Sequence, residues 1–285
     1  MSRIAYVNGR YLPLAMAAVS INDRAFNFGD GAYEVCEVRD GALIDETGHL
    51  ARLGQSLATL RISWPIAEEA LRVVMRETIR RNRVRDGLVY LQVSRGAARR
   101  DHGFPEGGAT PGLIVTARSL DPGAGADRAA SGVAVITAPD ERWAHPHIKT
   151  LQLLPNVLAK QAAREAGAFE AWFIDRDGFV TDGASTNAWI VARDGALVTR
   201  QADNAILHGV ARATLLEVAR KFALRVEERP FTAQEAYGAR EAFFSSATTI
   251  AMPVVVIDGR TIGDGRPGPI VLALRRAFHQ IAERS

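Results

Sequence analysis

Gly29-Asp30-Gly31-Ala32-Tyr33-Glu34-Val35-Cys36-Glu37-Val38-Arg39-Asp40-Gly41-Ala42-Leu43-Ile44 carries the pattern from which the fold is read. A Gly-Asp-Gly turn feeds a strand over residues 32–39, where aromatic and β-branched side chains suit a pleated surface. Asp40-Gly41 is the dipeptide of a tight hairpin turn, and it returns the chain through residues 42–44. Upstream, Ile4–Val7, Asn8-Gly9 and residues 10–14 repeat the hairpin signature. Downstream, Leu50, Leu53, Leu57 and Leu60 recur at helical spacing. Pro65 precedes a second amphipathic helix over residues 67–81. Strands at Gly87–Ser94 and residues 113–117 enclose a polar loop, 95–111, of a length that is usually functional or disordered.

Asp121-Pro122-Gly123-Ala124-Gly125-Ala126 reads as a linker. The expected organisation is therefore a domain over residues 1–120, a linker over 121–131 and a second domain over 132–285. Strands are expected in the second half at 133–137, 171–174, 188–191, 197–199 and 242–246. Helices are expected at 154–167, 208–222 and 270–281. Antiparallel hairpins mixed with helices give an α+β (mixed α/β) class in two domains.

The 285 residues are 47% hydrophobic and 24% charged, as in ordinary globular proteins. No apolar run approaches the ~18–20 residues of a bilayer span, and no signal-peptide core follows Met1. Cys36 is the single cysteine, which excludes an internal disulfide and a cysteine-built metal site. A cytoplasmic protein that uses neither membrane nor metal is expected. Basic residues are scattered among acids and form no tract, so nucleic acid is not expected as a partner. Only three of the 35 basic residues are lysine: Lys149, Lys160 and Lys221. Any amine chemistry must use one of them.

Lys160 and Lys221 fit polar faces of amphipathic helices. Lys149 lies in Trp143-Ala144-His145-Pro146-His147-Ile148-Lys149-Thr150-Leu151, an irregular stretch between a strand and a helix. Either it is a solvated loop lysine, or it is partly desolvated and nucleophilic toward a carbonyl. Thr181-Asp182-Gly183-Ala184-Ser185-Thr186-Asn187 is either a plain Asp-Gly turn or a donor-rich seat for an anion. Leu207-His208-Gly209-Val210-Ala211 opens a helix whose first N–H groups are free to meet an anion. Arg99-Arg100-Asp101-His102-Gly103-Phe104-Pro105 is either a solvated loop or a grip for a carboxylate. Together they describe an amine, a carboxylate, phosphate donors and a carboxylate trap, a set that suits pyridoxal phosphate chemistry on an amino acid. His145-Pro146-His147 lacks a carboxylate set at metal-ligand spacing.

These motifs, together with Asp23-Arg24-Ala25-Phe26-Asn27-Phe28-Gly29-Asp30-Gly31-Ala32-Tyr33-Glu34-Val35 and His49-Leu50-Ala51-Arg52-Leu53, run in order along the chain. In them the sequence resembles the fold-type IV pyridoxal-phosphate enzymes, and among these most resembles the D-amino acid transaminases. The resemblance implies a two-domain fold with pyridoxal 5′-phosphate between the domains and the cofactor lysine, Lys149, in the second. It implies that Lys149 forms the Schiff base and shuttles the proton. It places Arg52, Asp182, Ser185, Thr186, Leu207, Val210, Ala211, Ser246 and Thr248 around the cofactor, with Arg52, Val210 and Ala211 on the phosphate. It places Tyr33, Val35, Arg100 and His102 at the substrate, the Arg100–His102 loop coming from the neighbouring subunit of a homodimer with shared active sites.

Two positions depart from the family pattern. Asp182 stands where glutamate usually pairs with the pyridine nitrogen. Ala247 stands where a phosphate-binding threonine is usual, which leaves Ser246 or Thr248 to supply the hydroxyl. The implied reaction is transfer of an amino group from D-alanine or D-glutamate to a 2-oxo acid. Branched-chain L-amino acid transamination and aminodeoxychorismate cleavage are the alternatives within the fold. A cofactor carrier is the non-enzymatic one, disfavoured because storage needs no carboxylate trap.

Overall fold

The computed structural model of the protein describes residues 3–285. The chain divides into two compact units, the first running to Asp121 and adding Ile148–Gln152 and Glu283–Ser285. The first unit contains, in chain order, β1 (Ile4–Val7), β2 (Arg10–Pro13), α1 (Arg24–Phe28), β3 (Gly31–Arg39) and β4 (Ala42–Leu43). It continues with α2 (Glu46–Leu60), α3 (Glu68–Asn82), β5 (Gly87–Ser94) and β6 (Gly112–Ser119). The strands form one antiparallel sheet in the order β2-β1-β6-β5-β3-β4.

Alternation along β3 sorts its side chains by face. Ala32, Glu34, Cys36 and Val38 are buried, whereas Tyr33, Val35 and Glu37 are half-buried. The buried face meets Leu50, Leu53 and Leu57 of α2 and Leu71 and Met75 of α3 in one apolar cluster. Each such leucine contributes roughly 1.5–3 kcal/mol on burial. Asp40 and Gly41, both at positive φ (48° and 81°), turn β3 into β4.

The second unit contains α4 (Pro122–Ser131), β7 (Val133–Pro139), α5 (Leu154–Glu165), β8 (Glu170–Ile174), β9 (Val180–Gly183), β10 (Asn187–Val191) and β11 (Leu197–Thr199). After these come α6 (Val210–Lys221), β12 (Val226–Glu228), α7 (Ala233–Tyr237), β13 (Glu241–Ser246), β14 (Ile250–Ile257), β15 (Arg260–Thr261) and α8 (Pro269–Ile281). Its sheet runs β12-β11-β10-β13-β14-β7-β8-β9, and β15 joins β14. The pairing of Asn187 with Asp182 brings β9 back against β10. The β14–β7 and β7–β8 pairings are parallel, so this unit mixes strand directions. Trp172, Ile190, Phe231, Phe244 and Met252 fill its core.

Two expectations are corrected. Residues 121–131 are not an extended linker, because 122–131 form α4 and bury Ala129 in the second core. Alanine's helix propensity and that burial outweigh Gly123 and Gly125. The segment carrying Lys149, expected within the second domain, packs with the first unit. The cause is pairing remote in sequence: the Lys149 carbonyl accepts from Tyr33 N–H at 3.0 Å, and Leu151 N–H donates to the Gly31 carbonyl at 3.1 Å.

Candidate active site

In the first unit the candidate residues lie on β3, α2, the Lys149 segment and the loop after β5. Beyond the short β4, the start of β3 has a free edge, and Ile148–Gln152 takes it through the Ala32–Thr150 bridge. The approach is close. A Cβ on Gly31 would collide with the Val93 carbonyl and with Leu151. Ser56 of α2 fastens the segment from the other side, its hydroxyl accepting from Lys149 N–H at 3.3 Å. The half-buried Lys149 side chain is thereby aimed at Tyr33, with Nζ 4.2 Å from the ring centre. Tyr33 and Val35 share one face of β3, as alternation requires.

Glu34 points to the opposite face and is fully buried. Arg52 grips it from α2 with Nε on Oε1 and Nη2 on Oε2, both at 2.7 Å. His49, one helical turn earlier, meets Oε2 at 2.8 Å. Burial alone would raise this carboxyl. Arg52 and His49 overcome that and hold it at about 2. Arg52 is thus already one half of a buried ion pair.

Arg100 and His102 lie on the exposed loop after β5. Arg24 of α1 pins that loop by donating to the Asp101 carbonyl at 2.6 Å and the His102 carbonyl at 3.3 Å. The Arg100 guanidinium lies 5.3 Å from the Phe28 ring centre, and the His102 ring 5.5 Å from it. Arg24 and Arg95 are both anchored on Asp30, so the Gly-Asp-Gly turn holds the loop as well as opening β3.

The second unit gathers Asp182, Thr186 and the start of α6. Asp182 is 2% exposed. Its Oδ1 accepts from Asn187 Nδ2 at 2.7 Å, and its Oδ2 accepts from Leu207 N–H at 2.9 Å and Arg142 Nη1 at 2.8 Å. Burial raises this carboxyl, and although Arg142, Leu207 and Asn187 oppose the shift, it stays above its ordinary range. Asn187 also donates to the Leu207 carbonyl at 2.8 Å, fastening residue 207 to β10. Gly209 caps α6 with no side-chain cap bond, and a Cβ there would collide with Asn187 Oδ1. Val210 and Ala211 therefore present first-turn N–H groups at an uncapped helix start.

Ser185 is exposed and donates to the buried Glu170 at 2.7 Å, while the buried Thr186 hydroxyl has no hydrogen-bond partner. Ser246 pairs with Thr249 at 2.8 Å across the β13–β14 turn, where Thr248 is exposed and Ile250 holds φ at 59°. Positive φ is costly for a β-branched residue. Ser56, Asn187 and Arg142 were missed from the sequence. Asn187 ended a motif that had been singled out, whereas Ser56 and Arg142 had no local signal.

The sequence matches the family described as amino-transferase class IV over residues 31–257. The chain belongs to the class IV aminotransferases. It is 41% identical to the D-alanine aminotransferase of Bacillus licheniformis, covering 95% of this chain and 94% of that one. Identity to the D-alanine aminotransferase of Staphylococcus haemolyticus is 35%, covering 98% and 97%. The T.th. branched-chain amino acid aminotransferase, solved with pyridoxamine 5′-phosphate, superposes with TM-score 0.90 at 26% identity, covering 98% and 94%. The branched-chain enzyme of Escherichia coli shares the fold, with TM-score 0.90 at 23% identity and 99% and 95% coverage.

Pyridoxal 5′-phosphate is the cofactor of class IV aminotransferases, and the residues of this one fit it. Lys149 is the amine. Asp182 is a buried carboxylate with three of about four acceptor positions filled, which leaves room on Oδ1 for a ring N–H. The uncapped start of α6 and the orphaned Thr186 hydroxyl are donors suited to an anion. Among the described residues no group of three or more His, Cys, Asp or Glu is placed to hold a metal ion.

Proposed function

We propose that this class IV aminotransferase moves the amino group of a D-amino acid, of the D-alanine or D-glutamate type, to a 2-oxo acid. One observation carries the choice of substrate. The curated D-alanine aminotransferases match 34–41% of residues over nearly the whole chain, whereas the branched-chain enzymes share the backbone at 22–26%. The residues suit the reaction. Bound pyridoxal phosphate supplies an aldehyde for the amine and a ring that accepts electrons from the substrate α-carbon. Lys149 would hold the cofactor through its amine and would carry the proton released from the substrate α-carbon. Asp182, with Leu207 beside it, would meet the ring nitrogen and keep a proton there. Arg52, Val210, Ala211, Thr186, Ser185 and a hydroxyl from Ser246 or Thr248 hold the phosphate end. Tyr33 and Val35 shape the substrate side, and Arg100 with His102 selects the carboxylate.

The loop bearing Arg100 and His102 acts, in this reading, in the site of a second copy. The surface beside it supports a homodimer: Ile21 and Phe26, flanking Arg24, are 79% and 74% exposed. Exposed apolar side chains suit a contact surface where they lie together in one patch. Among the described residues no helix is long and apolar enough to cross a membrane, and the lone, buried Cys36 suits a reducing cytoplasm. The deciding experiment offers purified protein paired D- and L-amino acids with 2-oxoglutarate, or with pyruvate where the donor is glutamate. Turnover of D-alanine or D-glutamate is expected, and exclusive turnover of branched-chain L-amino acids would reject the reading.

A further inference from the structure

Arg142 is not isolated with Asp182. Its Nε and Nη2 donate to Asp140 Oδ1 and Oδ2 at 2.9 and 2.7 Å, while Nη1 donates to Asp182 at 2.8 Å. Thr181 donates to Asp140 Oδ2 at 2.7 Å and accepts from Arg142 Nη2 at 3.2 Å. The Ala205 carbonyl takes a further Nη2 bond at 3.3 Å, and the Phe173 ring covers the guanidinium at 5.0 Å. Side-chain exposures of 13%, 8% and 2% for Asp140, Arg142 and Asp182 show that water does little of the charge balancing.

We propose that Asp140 and Arg142 set the charge that Asp182 presents to the cofactor's ring nitrogen. Arg142 keeps the buried carboxylate ionised, and Asp140 cancels the positive charge that Arg142 brings. The proposal rests on the reading above, in which Asp182 meets that nitrogen.

A dry carboxylate with no cation tends to take up a proton and lose its charge. Arg142 opposes this, but an Arg142–Asp182 pair alone is neutral and offers the ring a dipole rather than a net charge. With Asp140 included, two carboxylates surround one guanidinium, and the triad carries one net negative charge. Asp140 lies on the far side of the guanidinium, bound by Nε and Nη2, so the surplus charge is offered at Asp182. Thr181 and the Ala205 carbonyl fix the guanidinium plane. Asp140 and Arg142 are positioning residues in this scheme, because they act through Asp182. Aspartate in place of the usual glutamate has a shorter reach, and here it is aimed by three donors from three segments.

The test loads the holoenzyme with pyridoxal phosphate labelled with nitrogen-15 in the ring and reads ring protonation from the nitrogen chemical shift. Cofactor dissociation and apoprotein melting are measured on the same samples. Asp140→Asn keeps shape and most hydrogen bonds but removes the cancelling charge. It is expected to move the shift toward unprotonated pyridine at neutral pH and to weaken cofactor binding about tenfold, with near-parental apoprotein melting. Asp140→Glu should restore the parental shift. Arg142→Lys, which keeps the charge without the fork, should move the shift less than Arg142→Gln. A parental shift in both Asp140→Asn and Arg142→Gln overturns the proposal, while a displaced shift in Asp182→Asn would leave the role of Asp182 standing. A parental shift in Asp182→Asn overturns both.

Discussion

Lys149 Nζ lies 4.2 Å from the centre of the Tyr33 ring, and the Lys149 carbonyl accepts the Tyr33 N–H at 3.0 Å. The backbone bond fixes where the lysine leaves the sheet edge, and the ring fixes where its amine goes. A cation over an aromatic face gains roughly 0.5–2 kcal/mol, more as water is excluded. Lys160, by contrast, has its amine on the Phe169 carbonyl at 2.7 Å and near the buried Glu170 at 3.1 Å. Borohydride reduction of the holoenzyme followed by peptide mapping should therefore place the pyridoxyl group on Lys149. An adduct on Lys160 or Lys221 would falsify the assignment.

The buried Glu34–Arg52 pair predicts a pH signature. Glu34 titrates at about 2 in the folded protein against an ordinary 4.5. Its contribution to stability is thus complete above about 4.5 and lost as pH falls toward 2. Arg52→Met leaves the carboxylate buried with His49 alone, at a cost of roughly 3–5 kcal/mol. Its carboxyl should then titrate above the ordinary value, so this contribution reverses sign and stability falls as pH rises through the ordinary range. Urea unfolding of both proteins from pH 3 to 7 checks this; parallel curves would show that Arg52 does not hold Glu34 ionised.

How much of this was legible follows from where each signal resides. The β3–β4 hairpin was readable because Asp40-Gly41 dictates its own turn, and α2 because its leucines repeat at helical spacing. β9 was read as a turn: Val180-Thr181-Asp182-Gly183 is half polar, and its burial depends on partners from residues 142, 187 and 207. β14 was missed, with Pro253 inside it where proline argues against a strand. The 121–131 stretch was misjudged because its glycines are local while the burial of Ala129 is tertiary. The roles of Lys149 and Arg52 came from resemblance, since no residue near either in sequence announces Tyr33 or Glu34.

Arg100 offers a planar pair of donors on an exposed loop, and a charge-assisted bond to a carboxylate is worth roughly 1.5–3 kcal/mol. Arg100→Ala should therefore raise KM for D-alanine by about one to two decades while the cofactor absorbance stays parental. Steady-state kinetics check this. Unchanged kinetics, or equal turnover of amines that lack a carboxylate, would remove Arg100 from the substrate site.

The chain that supplies Arg100 can be identified by mixing an inactive Lys149→Ala variant with the weakened Arg100→Ala variant and assaying at D-alanine well below the parental KM. Arg24 clamps the carbonyls of Asp101 and His102 at 2.6 and 3.3 Å, so the loop is held on its own chain while its tip carries Arg100 to the surface. Ile21 and Phe26 beside it remain 79% and 74% exposed, as expected where a second copy covers them. In a two-fold dimer whose sites share the loop, a Lys149→Ala subunit still donates Arg100 to an Arg100→Ala partner that retains Lys149. Each mixed dimer then has one complete site. Unfolding the two variants together and refolding them at equal amounts makes about half the dimers mixed, which should restore about a quarter of the parental rate. If Arg100 serves its own chain, every site in the mixed dimer lacks either the lysine or the arginine. Activity would then stay at the level of the separate variants, and the shared-site dimer would be rejected even if sedimentation shows two chains.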